Sequence, residues 1–200
     1  ENSLRKVAAV SSRTCAMPSS VPRPTPPLPE TRGRWPFAPQ DGWHEVVGTM
    51  GEVRGNFQGE SRSHLHDGFD IRADVGTPVL AIADAKVSSP LAAGRFGDQA
   101  ENVAIDALTY MHIRVGRSAQ GRALDPRFTL LTGDDGRPAR VRIARGTRIA
   151  AGDPVGTVNP QAHVHLIVGP SGYQRNAVGL GFVNFTDTVA PRIDAVELRD

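Results

Sequence analysis

Four of the six histidines in this chain fall in three short motifs, and two of those motifs have the spacing of metal ligands. In His66-Asp67-Gly68-Phe69-Asp70, two ligand-type side chains stand four residues apart. A fully extended strand would separate them by ~13 Å, too far to share one ion. Asp67-Gly68 offers a bend, because glycine accepts backbone angles that other residues resist. With that bend, the His66 imidazole and the Asp70 carboxylate can meet one metal. In Ala162-His163-Val164-His165-Leu166-Ile167-Val168, residues two apart on a strand point to the same face. His163 and His165 then share one face, and Val164, Leu166 and Val168 share the other, toward a core. A packed structural pair is the competing reading, but burying two unpartnered imidazoles costs free energy, and both protonated would repel. The third motif, Tyr110-Met111-His112-Ile113, holds a lone strand histidine whose weight comes from the other two.

Two histidines and one carboxylate leave a zinc ion one open position for water, the pattern of a catalytic rather than a closed structural site. Zinc lowers the pKa of bound water to about 7 and polarises a carbonyl, which makes amide hydrolysis feasible near neutral pH. The remaining two histidines can then orient the water and stabilise an oxyanion. His64, two residues before His66, can also face such a site; it reads as a surface or supporting residue, and His44 as having no catalytic part.

These groups need short strands to hold them, and the chain supplies short strands broken by turns. Strand-forming stretches are Asp70 to Ala73, Val79 to Ala83, Val103 to Ile105, Tyr110 to Val115, Arg140 to Ile143, Val155 to Val158 and His163 to Val168. No segment carries a long helical period. The expected fold is mainly β, a compact antiparallel domain over residues 35–185. Residues 117–140 are polar and turn-rich around an apolar island, Phe128 to Leu131, and read as a long loop or hairpin inserted into the domain. Eight prolines between Pro18 and Pro39 make residues 1–34 a proline-rich tail or linker. Residues 186–200 resemble the entry strand of an immunoglobulin-like module, so an adjoining C-terminal domain is a further expectation.

Composition narrows the class. With 39% hydrophobic and 22% charged residues among 200, the chain suits a globular rather than a disordered protein. Gly 21 and Pro 16 favour turns over helical bundles. The formal charge of +2 is mild and almost all arginine, Lys6 and Lys86 being the only lysines. That is no nucleic-acid signature, though an anionic surface would be favoured. The nine arginines between Arg114 and Arg148 read first as a solvated surface and second as an anionic-polymer contact. Cys15 is the only cysteine, so no intrachain disulfide can form. No run approaches the ~18 apolar residues of a transmembrane segment.

Taken together, His66-x-Gly68-x-Asp70, Gly76-Thr77-Pro78-Val79, Tyr110-Met111-His112, Gly152-Asp-Pro-Val-Gly156-Thr and His163-x-His165 resemble, in order, the lysostaphin-type (LytM-like) zinc metallopeptidases. The resemblance extends over roughly Trp35 to Val168. It implies that His66, Asp70 and His165 bind Zn2+, that His163 is the general base or orients the water, and that His112 stabilises the transition state. It implies the family's antiparallel β fold, and a peptidoglycan peptide as substrate, met in the periplasm or outside the cell. The turn before His163 is shorter than the family's, the segment after His112 is longer, and Leu166-Ile167-Val168 replace the usual aromatic and acidic residues.

Three other readings of the same residues differ in what they demand. A catalytically inactive relative would bind cell wall without hydrolysing it, and typically lacks some of the five residues. A cupin-like metal site would draw on His64, His66 and Asp70, leaving His163 and His165 unused. A lipoyl-type carrier would need a lysine at a hairpin tip, and neither Lys6 nor Lys86 is obviously so placed.

Overall fold

The computed structural model of the chain describes residues 27–55, 64–88, 96–170 and 172–188. Most of the proline-rich stretch, Cys15 among it, and most of residues 186–200, the expected start of a further module, lie outside those residues. Within them, fourteen short strands follow in order: β1 (Val46–Gly48), β2 (Val53–Arg54), β3 (His64–Leu65), β4 (Phe69–Arg72), β5 (Pro78–Leu80), β6 (Ala85–Lys86), β7 (Asn102–Ile105), β8 (Leu108–Met111), β9 (Ile113–Val115), β10 (Thr129–Thr132), β11 (Pro138–Arg142), β12 (Arg148–Ile149), β13 (Pro154–Val158) and β14 (His163–Val168). A 3-10 turn, Ala177–Leu180, is the one helical element among the described residues. The fold is mainly β and its sheets are antiparallel.

The central sheet runs β1-β4-β14-β8-β7, and a second sheet runs β5-β13-β9. Strand alternation sorts the side chains. Phe69 and Ile71 of β4, Val164, Leu166 and Val168 of β14, and Leu108 and Tyr110 of β8 are buried in one hydrophobic core. Val79, Ile113, Val115, Val155 and Val158 of the second sheet join that core. The other face of the central sheet therefore carries Asp70, His163 and His165. Register fixes how they meet: His165 lies directly opposite Asp70 on β4 and opposite Met111 on β8.

Two expectations are adjusted. Tyr110 to Val115 is not one strand. The chain turns at His112, whose φ of +66° is left-handed, and passes from β8 in the central sheet to β9 in the second. Packing also starts ahead of Trp35: Leu28 lies against the core, and buried Thr31 donates its hydroxyl to the Leu180 carbonyl at 3.1 Å. Trp35 stacks on Phe182 with ring centroids 4.6 Å apart, and Phe182 stacks on Phe69 at 5.3 Å. The end of the domain is thereby fastened behind the strand that carries Asp70.

The inserted segment is in part a hairpin. Phe128, at its base, is in the core, and β10 pairs with β11 beyond it. Behind it, Arg117 forms a two-pronged pair with Glu101, Nη2 to Oε2 at 2.7 Å and Nη1 to Oε1, with both residues buried. Glu101 also accepts the backbone N–H of Val115 (3.0 Å) and of Gly97 (2.9 Å), and Arg117 lies over the Phe96 ring at 4.0 Å. This network pins residues 96–101 beside His112.

Candidate metal centre

The three groups at the centre arrive by different routes. Asp70 and His165 are register partners on adjacent central strands. His66 precedes β4 and is held at both ends of its peptide: its N–H donates to Glu52 O (2.7 Å), and its carbonyl accepts from Gly51 N–H (2.8 Å). The result is a tight triangle. His66 Nε2 lies 2.9 Å from His165 Nδ1 and 3.1 Å from Asp70 Oδ1, and His165 Nδ1 lies 2.8 Å from Asp70 Oδ1. All three residues are buried, and they form a group able to hold one metal ion.

The outer partners say which atoms face inward. His66 Nδ1 is 2.8 Å from the Thr49 carbonyl, which can only accept, so Nδ1 carries the hydrogen and Nε2 is bare. His165 Nε2 is 3.1 Å from Asp67 Oδ1, so Nε2 carries the hydrogen and Nδ1 is bare. With both imidazoles neutral, two nitrogen lone pairs and a carboxylate oxygen point at one another across about 3 Å. That arrangement repels unless a cation, either a proton shared within the group or a metal ion, sits among them. The donor set thus fits a metal, and binding would displace a proton. Burial alone would raise the Asp70 carboxyl. The hydrogen bond from His165 and the charges of His66, His165 and His163 outweigh it and hold the group below its ordinary 3.8. Arg54 Nη2 occupies the other carboxylate oxygen, Asp70 Oδ2, at 3.2 Å, which leaves Oδ1 alone to the triangle.

Two glycines make the approach possible. A Cβ on Gly68 would stand 2.5 Å from His165 Nε2, and one on Gly48 would strike Arg54 Nη2 and Asp70 Oδ2. Gly68 is therefore needed for space. The φ of Gly68 is not left-handed, so the expected reason, backbone freedom at the bend, is replaced by close contact with the imidazole.

His112 and His163 stand beside the triangle. His163 Nε2 is 3.6 Å from Asp70 Oδ1, and the His112 and His163 rings meet edge to face with centroids 4.7 Å apart. His163 Nδ1 donates to Gln161 O (2.8 Å) and His112 Nδ1 to Gln99 O (2.6 Å), so each leaves Nε2 as its bare nitrogen. Burial holds the His112 imidazole below its ordinary 6.5, against the pull of the Gln99 carbonyl, and it is neutral at pH 7. The five residues line one open pocket of about 320 Å3 with Arg54, His64, Asp67 and Met111. All five candidate residues are thus together. His64 lines the pocket but is not in the triangle and His165 is, which removes the cupin-like ligand set. Arg54, Asp67 and the carbonyls of Thr49, Gln99 and Gln161 escaped the sequence reading. Asp67 alone had a signal, a carboxylate adjoining a candidate ligand.

Compared with known proteins, the chain matches no family model and no curated sequence. No helix among the described residues is long and apolar enough to cross a membrane.

Proposed function

We propose that the chain is a zinc-dependent endopeptidase of the lysostaphin type, hydrolysing peptide bonds in the stems or cross-bridges of bacterial peptidoglycan in the periplasm or outside the cell. The observation that carries the reading is the buried triangle of His66 Nε2, Asp70 Oδ1 and His165 Nδ1, with two further bare imidazole nitrogens in the same pocket. Two histidines and a carboxylate are a zinc-hydrolase ligand set with room for water. Zinc bound there would supply a Lewis acid for the scissile carbonyl and a water that ionises near neutral pH.

The chain's own residues divide the remaining work. Thr49 and Asp67 fix the tautomers of His66 and His165, and such outer partners hold ligands in orientation. His163 Nε2, nearest the triangle, takes a proton from the attacking water as its oxygen bonds to the carbonyl carbon. The carbon–nitrogen bond then breaks, and the same proton passes to the departing amine. The resemblance gives the oxyanion to His112, which is neutral with Nε2 bare and could fill that role only after gaining a proton there. Peptidoglycan as substrate rests on the ordered motifs from His66 to His165. An inactive wall-binding relative is disfavoured because all five positions are filled and converge. The test is digestion of purified peptidoglycan followed by mass spectrometry. New amino termini should appear with wild type plus zinc, and be absent with chelator or with His163→Ala. Equal fragment release by wild type and His163→Ala would sink the proposal.

A further inference from the structure

Asn159 is 2% exposed and lies in the turn between β13 and β14, with no role in the steps above. Every polar group it has is spent on the surroundings of His112 and His163. Its backbone N–H donates to the His112 carbonyl (3.0 Å), and its backbone carbonyl accepts from Ala162 N–H (3.1 Å). Its side-chain Nδ2 donates to the Gln99 carbonyl (2.9 Å), the same oxygen that takes the His112 Nδ1 hydrogen. Its Oδ1 accepts from Gln161 N–H (3.0 Å), and the Gln161 carbonyl takes the His163 Nδ1 hydrogen. One amide thus braces both peptide segments whose carbonyls select the histidine tautomers. His112 and Ala162 also have left-handed φ of +66° and +55°. Such conformations persist only where neighbouring contacts over-determine them, and the backbone of Asn159 bonds to both residues. None of these bonds reaches His66, Asp70 or His165.

We propose that Asn159 is a positioning residue that couples His112 to His163, holding both as Nδ1–H tautomers with Nε2 left bare in the pocket; its catalytic meaning rests on the function proposed above. The coupling needs an amide of this length. Serine retains an acceptor for Gln161 N–H, as in the related hydroxyl turns, but is too short to reach Gln99. Alanine retains neither bond.

The test records long-range proton–nitrogen correlations of the imidazole rings in the zinc-loaded full chain, for wild type, Asn159→Ser and Asn159→Ala. Wild type should show single Nδ1–H tautomers at His112 and His163. Asn159→Ser should mix tautomers at His112 alone, and Asn159→Ala at both. The His66 and His165 signals and zinc stoichiometry should stay as in wild type. In peptide hydrolysis, Asn159→Ala should lower kcat about 10- to 100-fold, with KM within about twofold. Unchanged tautomers in a folded Asn159→Ala, or loss of all four histidine signals together with zinc, would overturn the proposal. Should Asn159→Ala not fold, the selective change in Asn159→Ser decides. The ring-nitrogen readout needs no activity, so an inactive wild type would refute the peptidase reading and leave the positioning role to be judged on tautomers.

Discussion

Replacing Gly68 by alanine probes how closely the metal centre is packed. The new Cβ would stand 2.5 Å from His165 Nε2 and 2.6 Å from Cε1. Ordinary contact begins near about 3.5 Å, so the imidazole must retreat by roughly 1 Å. Its Nδ1 is 2.8 Å from Asp70 Oδ1 and 2.9 Å from His66 Nε2, and metal sites tolerate ligand displacements of only about 0.2 Å. The same retreat strains the bond from Nε2 to Asp67, which fixes the tautomer. We expect zinc affinity to fall at least about 100-fold, or about 2.7 kcal/mol. Overpacking in the metal-free protein should cost about 1–3 kcal/mol, leaving a folded chain to measure. The assay is competition of the purified protein against a chelator of known zinc affinity, beside thermal melts of the metal-free forms. If Gly68→Ala binds zinc as wild type does, the contact between residue 68 and His165 is not what the geometry requires.

Other consequences lie outside the centre. Glu101→Ala strands the buried Arg117 guanidinium without its carboxylate and should destabilise by about 3–5 kcal/mol, a fall in Tm on the order of 10 °C. Arg117→Met added to it should recover part of that loss, since the stranded charge is gone. At the base of the hairpin, Arg127 bonds Asp125 and Asp153 at 2.8 Å each, and its hydrogen bond holds the Asp125 carboxyl below its ordinary 3.8. A lowered carboxyl contributes stability above 3.8 that is lost as pH falls through the folded value. Melts below pH 4 should therefore drop more steeply for wild type than for Asp125→Asn, and parallel curves would dismiss the contribution.

What could be read in advance, and what could not, follows from the range of each signal. Alternation along His163 to Val168 gave β14 and its faces, because strand period is local. The break at His112 did leave a trace, since Leu108 and Tyr110 face the core at even positions and Ile113 and Val115 at odd ones, but the apolar Met111 masks that shift of phase in the sequence. Gly68 was noticed for the wrong reason. Its need arises from a side chain on β14, nearly a hundred residues away, and no local pattern carries that. Gln99 and Gln161 act through backbone carbonyls, which every residue owns, so their types gave nothing to find, and the partners of the Asn159 side-chain amide are brought to it only by the fold. Glu101 and Arg117 were two charges among many until folding buried them together.

The central claim is a division of labour among five residues, and zinc stoichiometry across five single alanine variants tests it directly. Equilibrium binding with metal analysis should give one zinc per chain for wild type, His112→Ala and His163→Ala. It should show loss of tight binding for His66→Ala, Asp70→Ala and His165→Ala. Retention of tight zinc by any of the latter three, or its loss in a folded His112→Ala or His163→Ala, would contradict the account.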